Sequence, residues 1–122
     1  MAHRSARRDG GMNERADLLL MFRGFMATQL LSIAARLGIA DLLAEGPRSA
    51  AELAVETSTH PRSLYRFLRA MAAFGVFAEL DAERFQNTPL SELLRTGVPG
   101  SMRNSAIDIG DHQLPHLGRG VA

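Results

Sequence analysis

The sequence predicts a mainly α fold: a winged helix-turn-helix with a two-stranded β-wing and additional helices at both ends. Three observations carry this expectation. Behind a proline at position 61, Leu64, Phe67, Leu68, Met71 and Phe74 repeat at helical spacing. A short helix opened by "SAAE" at Ser49 to Glu52 precedes them across a turn at Ser58 to His60, giving a helix-turn-helix order. Two strand-like runs, "VFAEL" and "RFQNT", follow around a turn at Asp81 to Glu83.

Taken in order, residues 1 to 12 are basic, glycine-containing and without apolar period, and are expected to form a flexible tail. The domain is expected over 13–122. From Glu14 to Leu37 the pattern is helical, with Leu18, Phe22, Phe25, Gln29, Ser32 and Arg36 in one stripe and Leu19, Met26, Leu30, Ile33 and Leu37 in another. Leu20, Met21 and Leu31 widen the apolar arc beyond the stripe that faces a single core. Such a helix needs cover on most sides, from a second subunit or from the centre of the monomer's own core.

Gly38 is placed to end this helix in a left-handed cap. "IADLLAEGP" then offers Ile39, Leu42 and Leu43 on one side of a short helix stopped by Gly46 and Pro47. In the "SAAE" helix, Leu53 and Ala54 should point inward. Pro61 suits the first position of the next helix, where a missing N–H costs nothing, and Gly75 ends it. Beyond the wing, Thr88 and Pro89 start a helix with Leu90, Leu93 and Leu94 apolar, broken by Gly97, Pro99 and Gly100. Ser101 is placed to start a last helix through about Ile109.

Bulk composition narrows the function. The 122 residues, 46% of them hydrophobic, suit one small globular domain. Fourteen basic residues, all arginine, nearly balance thirteen acids for a net charge of +1, so there is no general attraction to nucleic acid or membrane. No cysteine is present, which removes disulfides and thiolate metal sites and fits a reducing, cytoplasmic setting. The most apolar stretch, Leu18 to Leu37, is interrupted by Arg23, Gln29 and Arg36, so it reads as a soluble helix rather than a membrane span.

The catalytic inventory is thin. His112 and His116 are four apart, but Pro115 between them argues against the regular helix a metal-binding pair needs, and no metal site is expected. "GRG" at Gly118 to Gly120 follows no strand and opens no helix, so dinucleotide and phosphate-loop patterns fail. Arg62, Arg66 and Arg69 form a stripe on the helix that would read a DNA groove. They suit phosphate or guanine contacts, or pairing with nearby acids such as Glu52, Glu56 and Glu79. The spacing leaves both readings open.

Several motifs occur in a telling order: "LGIADL", the "ELA" helix, "LYRFLRAMAAFGVF", "TPLSELLR" and "VPGSMR". Together they resemble the N-terminal dimerisation domain of S-adenosylmethionine-dependent small-molecule O-methyltransferases, over roughly Leu18 to Arg103. Bacterial natural-product enzymes and the hydroxyindole and plant phenolic methyltransferases share this domain. The resemblance implies that the winged helix does not read DNA. It implies a homodimer built through the long first helix, with Leu18, Met21, Phe22, Phe25, Met26, Gln29, Leu30 and Ile33 as interface. Of these, Met21, Phe22, Phe25 and Met26 are carried over as wall of the partner's pocket for a small aromatic or phenolic substrate.

In that family the cofactor and the catalytic histidine lie in a Rossmann-like domain whose glycine-rich turn does not occur in this chain. The resemblance therefore implies no catalytic and no cofactor-binding residue here, with S-adenosylmethionine expected only in a full-length enzyme. Residues from about 110 to 122 are read as a truncated connection to that domain. The chain alone is expected to be inactive.

Overall fold

A computed structural model of the chain describes residues 11–111. A long helix, α1 (Gly11–Leu37), ends at Gly38, whose φ of 72° is the left-handed cap expected there. The short α2 (Ile39–Leu42) follows and buries Ile39 and Ala40. Strand β1 (Arg48–Ser49) runs directly into α3 (Ala50–Thr57). At this junction the Glu52 N–H donates to the Ser49 Oγ at 3.1 Å, and the Ser49 N–H donates to Glu52 Oε1 at 2.9 Å. The capping box read from "SAAE" is therefore present.

Helix α4 (Pro61–Ala73) is capped by His60, whose Nδ1 accepts from the Ser63 N–H at 3.4 Å. Its inward face follows the predicted spacing: Leu64, Leu68 and Met71 are buried, while Phe67 and Phe74 are half-buried against the same core. Strands β2 (Phe77–Glu79) and β3 (Arg84–Asn87) pair antiparallel with Phe77 opposite Asn87 and Glu79 opposite Phe85. The 3-10 turn between them, Asp81–Glu83, holds Ala82 at φ 61° and Glu83 at φ 56°, left-handed backbone without glycine.

The expected two-stranded wing gains a third member. Strand β1 pairs with β3, Arg48 opposite Phe85, and the sheet order is β1-β3-β2. Two residues of strand are too few for a period-2 pattern, and "RS" has no apolar signal of its own. The pairing satisfies the free edge of β3 and fixes the start of α3 against the wing.

A polar thread then joins the wing to both ends of the domain. Asn87 donates through Nδ2 to the Ala40 carbonyl at 3.0 Å, and Ser91 Oγ donates to Asn87 Oδ1 at 2.9 Å. Thr88 caps α5 (Pro89–Glu92), its hydroxyl lying 2.8 Å from both the Gly75 and Val76 carbonyls. Asp41 accepts from the Thr96 N–H at 2.9 Å and from its hydroxyl at 2.7 Å.

The last described element, α6 (residues 103–111), crosses the end of α1. The Arg36–Asp111 ion pair joins the two helices. At the crossing Gly110 meets Ser32 so closely that a Cβ there would run into the Ser32 side chain. The core between these layers contains Ile39, Leu53, Leu68, Met71, Phe77 and Phe85, each 0–1% exposed. The predicted tail, residues 1–12, and the predicted connection, about 110–122, lie largely outside the described residues.

Candidate functional site

The core engages only part of α1. Leu30, Leu31 and Leu37 pack on it, and Ala34 and Ala35 are buried. The helix begins about five turns before Leu30 and runs past the edge of the domain. Along this projecting half Leu18, Leu19, Leu20, Met21, Phe22, Phe25 and Met26 are all exposed, with Leu20 and Met21 at 69%. Arg23 is used differently, its guanidinium lying 4.9 Å above the Phe74 ring. Asn13–Leu37 is long and apolar enough to cross a bilayer by length and composition alone. In this fold, however, its C-terminal third is committed to the domain core.

The residues expected at an interface thus divide by position. Leu18, Met21, Phe22, Phe25, Met26 and Ile33 are exposed, while Gln29 and Leu30 are half-buried. A second apolar feature was not anticipated. Leu31, Val76, Leu90, Leu93, Met102 and Ala106 line most of a pocket of about 200 Å³ where α1, α5 and the start of α6 meet. Leu90 and Met102 are more than half exposed beside it. Its lining comes from four separate stretches of chain, so no local period announces it.

The arginine stripe on α4 faces the wing. Arg62 Nη1 lies 3.3 Å from Glu83 Oε2, and Arg69 Nε lies 3.3 Å from Glu79 Oε1. Both guanidinium groups flank the Tyr65 ring, at 4.9 and 5.8 Å from its centroid. The Tyr65 hydroxyl donates to Glu79 Oε2 at 2.7 Å, and this bond holds its pKa above the usual phenol value. Of the acids considered as partners, Glu79 serves, Glu52 closes the α3 cap and Glu56 pairs with Arg48 at 3.6 Å. Arg66 makes no ion pair among the described residues. The alternative of DNA contact through Arg62, Arg66 and Arg69 finds no support, because two of the three charges are matched by acids of the wing.

Of the histidines, His60 is a helix cap, while His3, His112 and His116 lie outside the described residues. Among the described residues no three His, Cys, Asp or Glu side chains gather as a metal site.

Comparison with known proteins accounts for this distribution. Residues 19–97 match the O-methyltransferase dimerisation domain family. The phenazine O-methyltransferase PhzM of Lysobacter antibioticus is 45% identical over 106 residues, which is 87% of this chain and 31% of that protein. The O-demethylpuromycin-O-methyltransferase of Streptomyces alboniger is 41% identical, over 75% of this chain and 24% of its own length. Among solved structures, LaPhzM superposes with a TM-score of 0.79 at 43% identity, covering 88% of this chain and 32% of that one. The calicheamicin-biosynthesis methyltransferase CalO1, solved with S-adenosyl-L-homocysteine, gives a TM-score of 0.70 at 34% identity, covering 82% of this chain and 30% of that one.

The chain therefore spans a third or less of the length of these relatives. The described residues do not fit the S-adenosyl cofactor. Every strand pair is antiparallel, and the two strands that lead into an α-helix, β1 into α3 through Ser49 and β3 into α5 through Thr88, do so without a glycine. A compact core with a long apolar helix projecting from it is left to the family's other task. The chain belongs to the O-methyltransferase dimerisation domain family.

Proposed function

We propose that this chain is the homodimerisation domain of an S-adenosylmethionine-dependent O-methyltransferase. The projecting half of α1 forms the seam, through Leu18, Met21, Phe22, Phe25, Met26, Gln29, Leu30 and Ile33. The observation that carries this reading is the run of exposed large apolar side chains from Leu18 to Met26. Fully covering one such side chain is worth about 1.5–3 kcal/mol, so leaving the run in water is costly. A second copy covers both runs at once.

In the assembled enzyme, Met21, Phe22, Phe25 and Met26 also serve as wall of the partner's substrate pocket. The substrate class is a small planar aromatic carrying the acceptor group. Relatives named for phenazine and for 3-amino-4-hydroxybenzoate support this class. Thioether and aromatic walls suit flat rings. The compartment is the cytoplasm, in keeping with a chain that has no cysteine.

The test is the mass of the chain in solution at micromolar concentration, for the native sequence and for Phe25→Asp. The native chain is expected at twice its monomer mass, and the variant at the monomer mass, because the substitution buries an unpaired charge in the seam. A native chain that runs as a monomer overturns the proposal.

A further inference from the structure

Helix α6 is held lightly. Its inward positions are Arg103, Ala106, Ile107 and Gly110, spaced for one helix face. Arg103, Ala106 and Ile107 are only half-buried, and the fully buried residue of α6 is the one without a side chain. The start of the helix is tied down. The Met102 N–H donates to the Leu93 carbonyl at 2.6 Å, and the Ser101 hydroxyl donates to the Arg95 carbonyl at 2.7 Å. Gly100 precedes this anchor at φ 74°. The apolar pocket of about 200 Å³ lies against Met102 and Ala106, so α6 does not close fully on Leu31, Val76 and Leu94.

At the far end the hold is one close contact and one ion pair. Ser32 is 1% exposed, and a Cβ at Gly110 would run into its Oγ and Cβ. Gly110 lies outside the left-handed region, so its backbone does not call for glycine. Glycine inside a helix is less stable than alanine, so its use here answers to the close approach. The other half of the contact is costly too. Ser32 Oγ is buried with no hydrogen-bond partner among the described residues, a penalty that is relieved when the hydroxyl meets water. The Arg36–Asp111 pair beside it is about half exposed on both sides, where ion pairs are weak and screened by salt.

We infer that α6 is a latched strap, which pivots at Gly100 to Met102 and lifts its far end off α1 while the core stays folded. A segment with few buried contacts opens at a lower free energy than the whole domain. Closed, the strap leaves the Ser32 hydroxyl desolvated. Open, it rehydrates that hydroxyl and uncovers Leu31, Val76 and Leu94. Gain and cost of closure oppose each other at the same contact, which keeps the two states close in free energy. The latch lies within one copy, on Ser32 and Arg36, and does not depend on the homodimer reading.

Amide hydrogen exchange of the full chain in urea, below its unfolding transition, tests the strap. Amides from Ile107 to Asp111 are expected to exchange faster than those of Leu68 and Met71 in α4, with little dependence on urea. Gly110→Ala overpacks the latch and is expected to speed α6 exchange about tenfold or more. Ser32→Gly combined with Gly110→Ala moves the Cβ from one helix to the other and is expected to bring exchange back towards the native rate. Ser32→Ala keeps the Cβ, removes the unpartnered hydroxyl and is expected to slow exchange, whereas added salt is expected to speed it. Exchange of α6 in step with α4 at every urea concentration overturns the strap. So does a Gly110→Ala chain whose α6 exchanges at the native rate.

Discussion

Tyr65 on α4 donates its phenolic hydrogen to Glu79 on β2 across 2.7 Å, and Arg69 binds the same carboxylate from the other side at 3.3 Å. A stripe that has the spacing of a DNA reader is thereby turned into a brace between helix and wing. One guanidinium cannot serve two anions well, so a polyanion would have to displace Glu79 to reach Arg69.

Tyr65 is the chain's single tyrosine, and there is no tryptophan, so phenolate absorbance reports this group alone. The hydrogen bond to Glu79 raises its pKa above 10.0. A raised folded pKa means that the bond's contribution is complete below the unfolded value of about 10 and is lost as pH rises through the folded one. The absorbance titration is expected above the free phenol value in the native chain and to move downward in Glu79→Gln. Coincident titrations in the two chains would show that the bond does not form in solution.

Neutralised arginines should leave the domain indifferent to nucleic acid. Gel retardation with mixed duplex DNA at low salt is expected to show no salt-sensitive complex. Retardation that disappears in an Arg62→Gln, Arg66→Gln, Arg69→Gln triple variant would reverse that assignment.

The α3 cap carries its own prediction. Ser49→Ala removes the acceptor for the Glu52 N–H and is expected to cost about 1 kcal/mol by urea unfolding. The Glu52 pKa is lowered, chiefly by the hydrogen bond from the Ser49 backbone. A lowered folded pKa means that this contribution is present above the unfolded carboxylate value of about 4.5 and fades as pH falls through the folded one. The stability gap between the native chain and Glu52→Gln should therefore narrow on acidification below that value.

Core and wing tip should respond in opposite directions. Leu68 is 0% exposed, and Leu68→Ala is expected to cost roughly 2–5 kcal/mol. Ala82 sits at φ 61°, where an alanine is strained by roughly 1–2 kcal/mol and a glycine is not. The extra freedom of glycine in the unfolded chain offsets about 0.5–1 kcal/mol of that gain. Ala82→Gly is thus expected to stabilise by about 0.5–1 kcal/mol, read as a higher denaturation midpoint.

The sequence by itself determined the elements that rest on short-range chemistry. The cap at Gly38, the box at Ser49 and Glu52, the proline start of α4 and the buried spacing of Leu64, Leu68 and Met71 each follow from residues within about one or two helical turns. The breadth of the apolar arc on α1 was legible for the same reason, since exposure of a whole helix face is written in its period.

Only the tertiary structure decided what lies between distant residues. Strand β1 exists because Arg48 meets Phe85, the pocket because Leu31 meets Leu90, Leu93 and Met102, and the charge match of the stripe because Glu79 and Glu83 return beneath α4. In each case the partners are separated by more residues than any local pattern spans, and the contact is set by packing of the whole core. Arg62, Arg66 and Arg69 had a spacing that was legible and a role that was not, because a charge pattern names its partner only once the fold has placed one opposite.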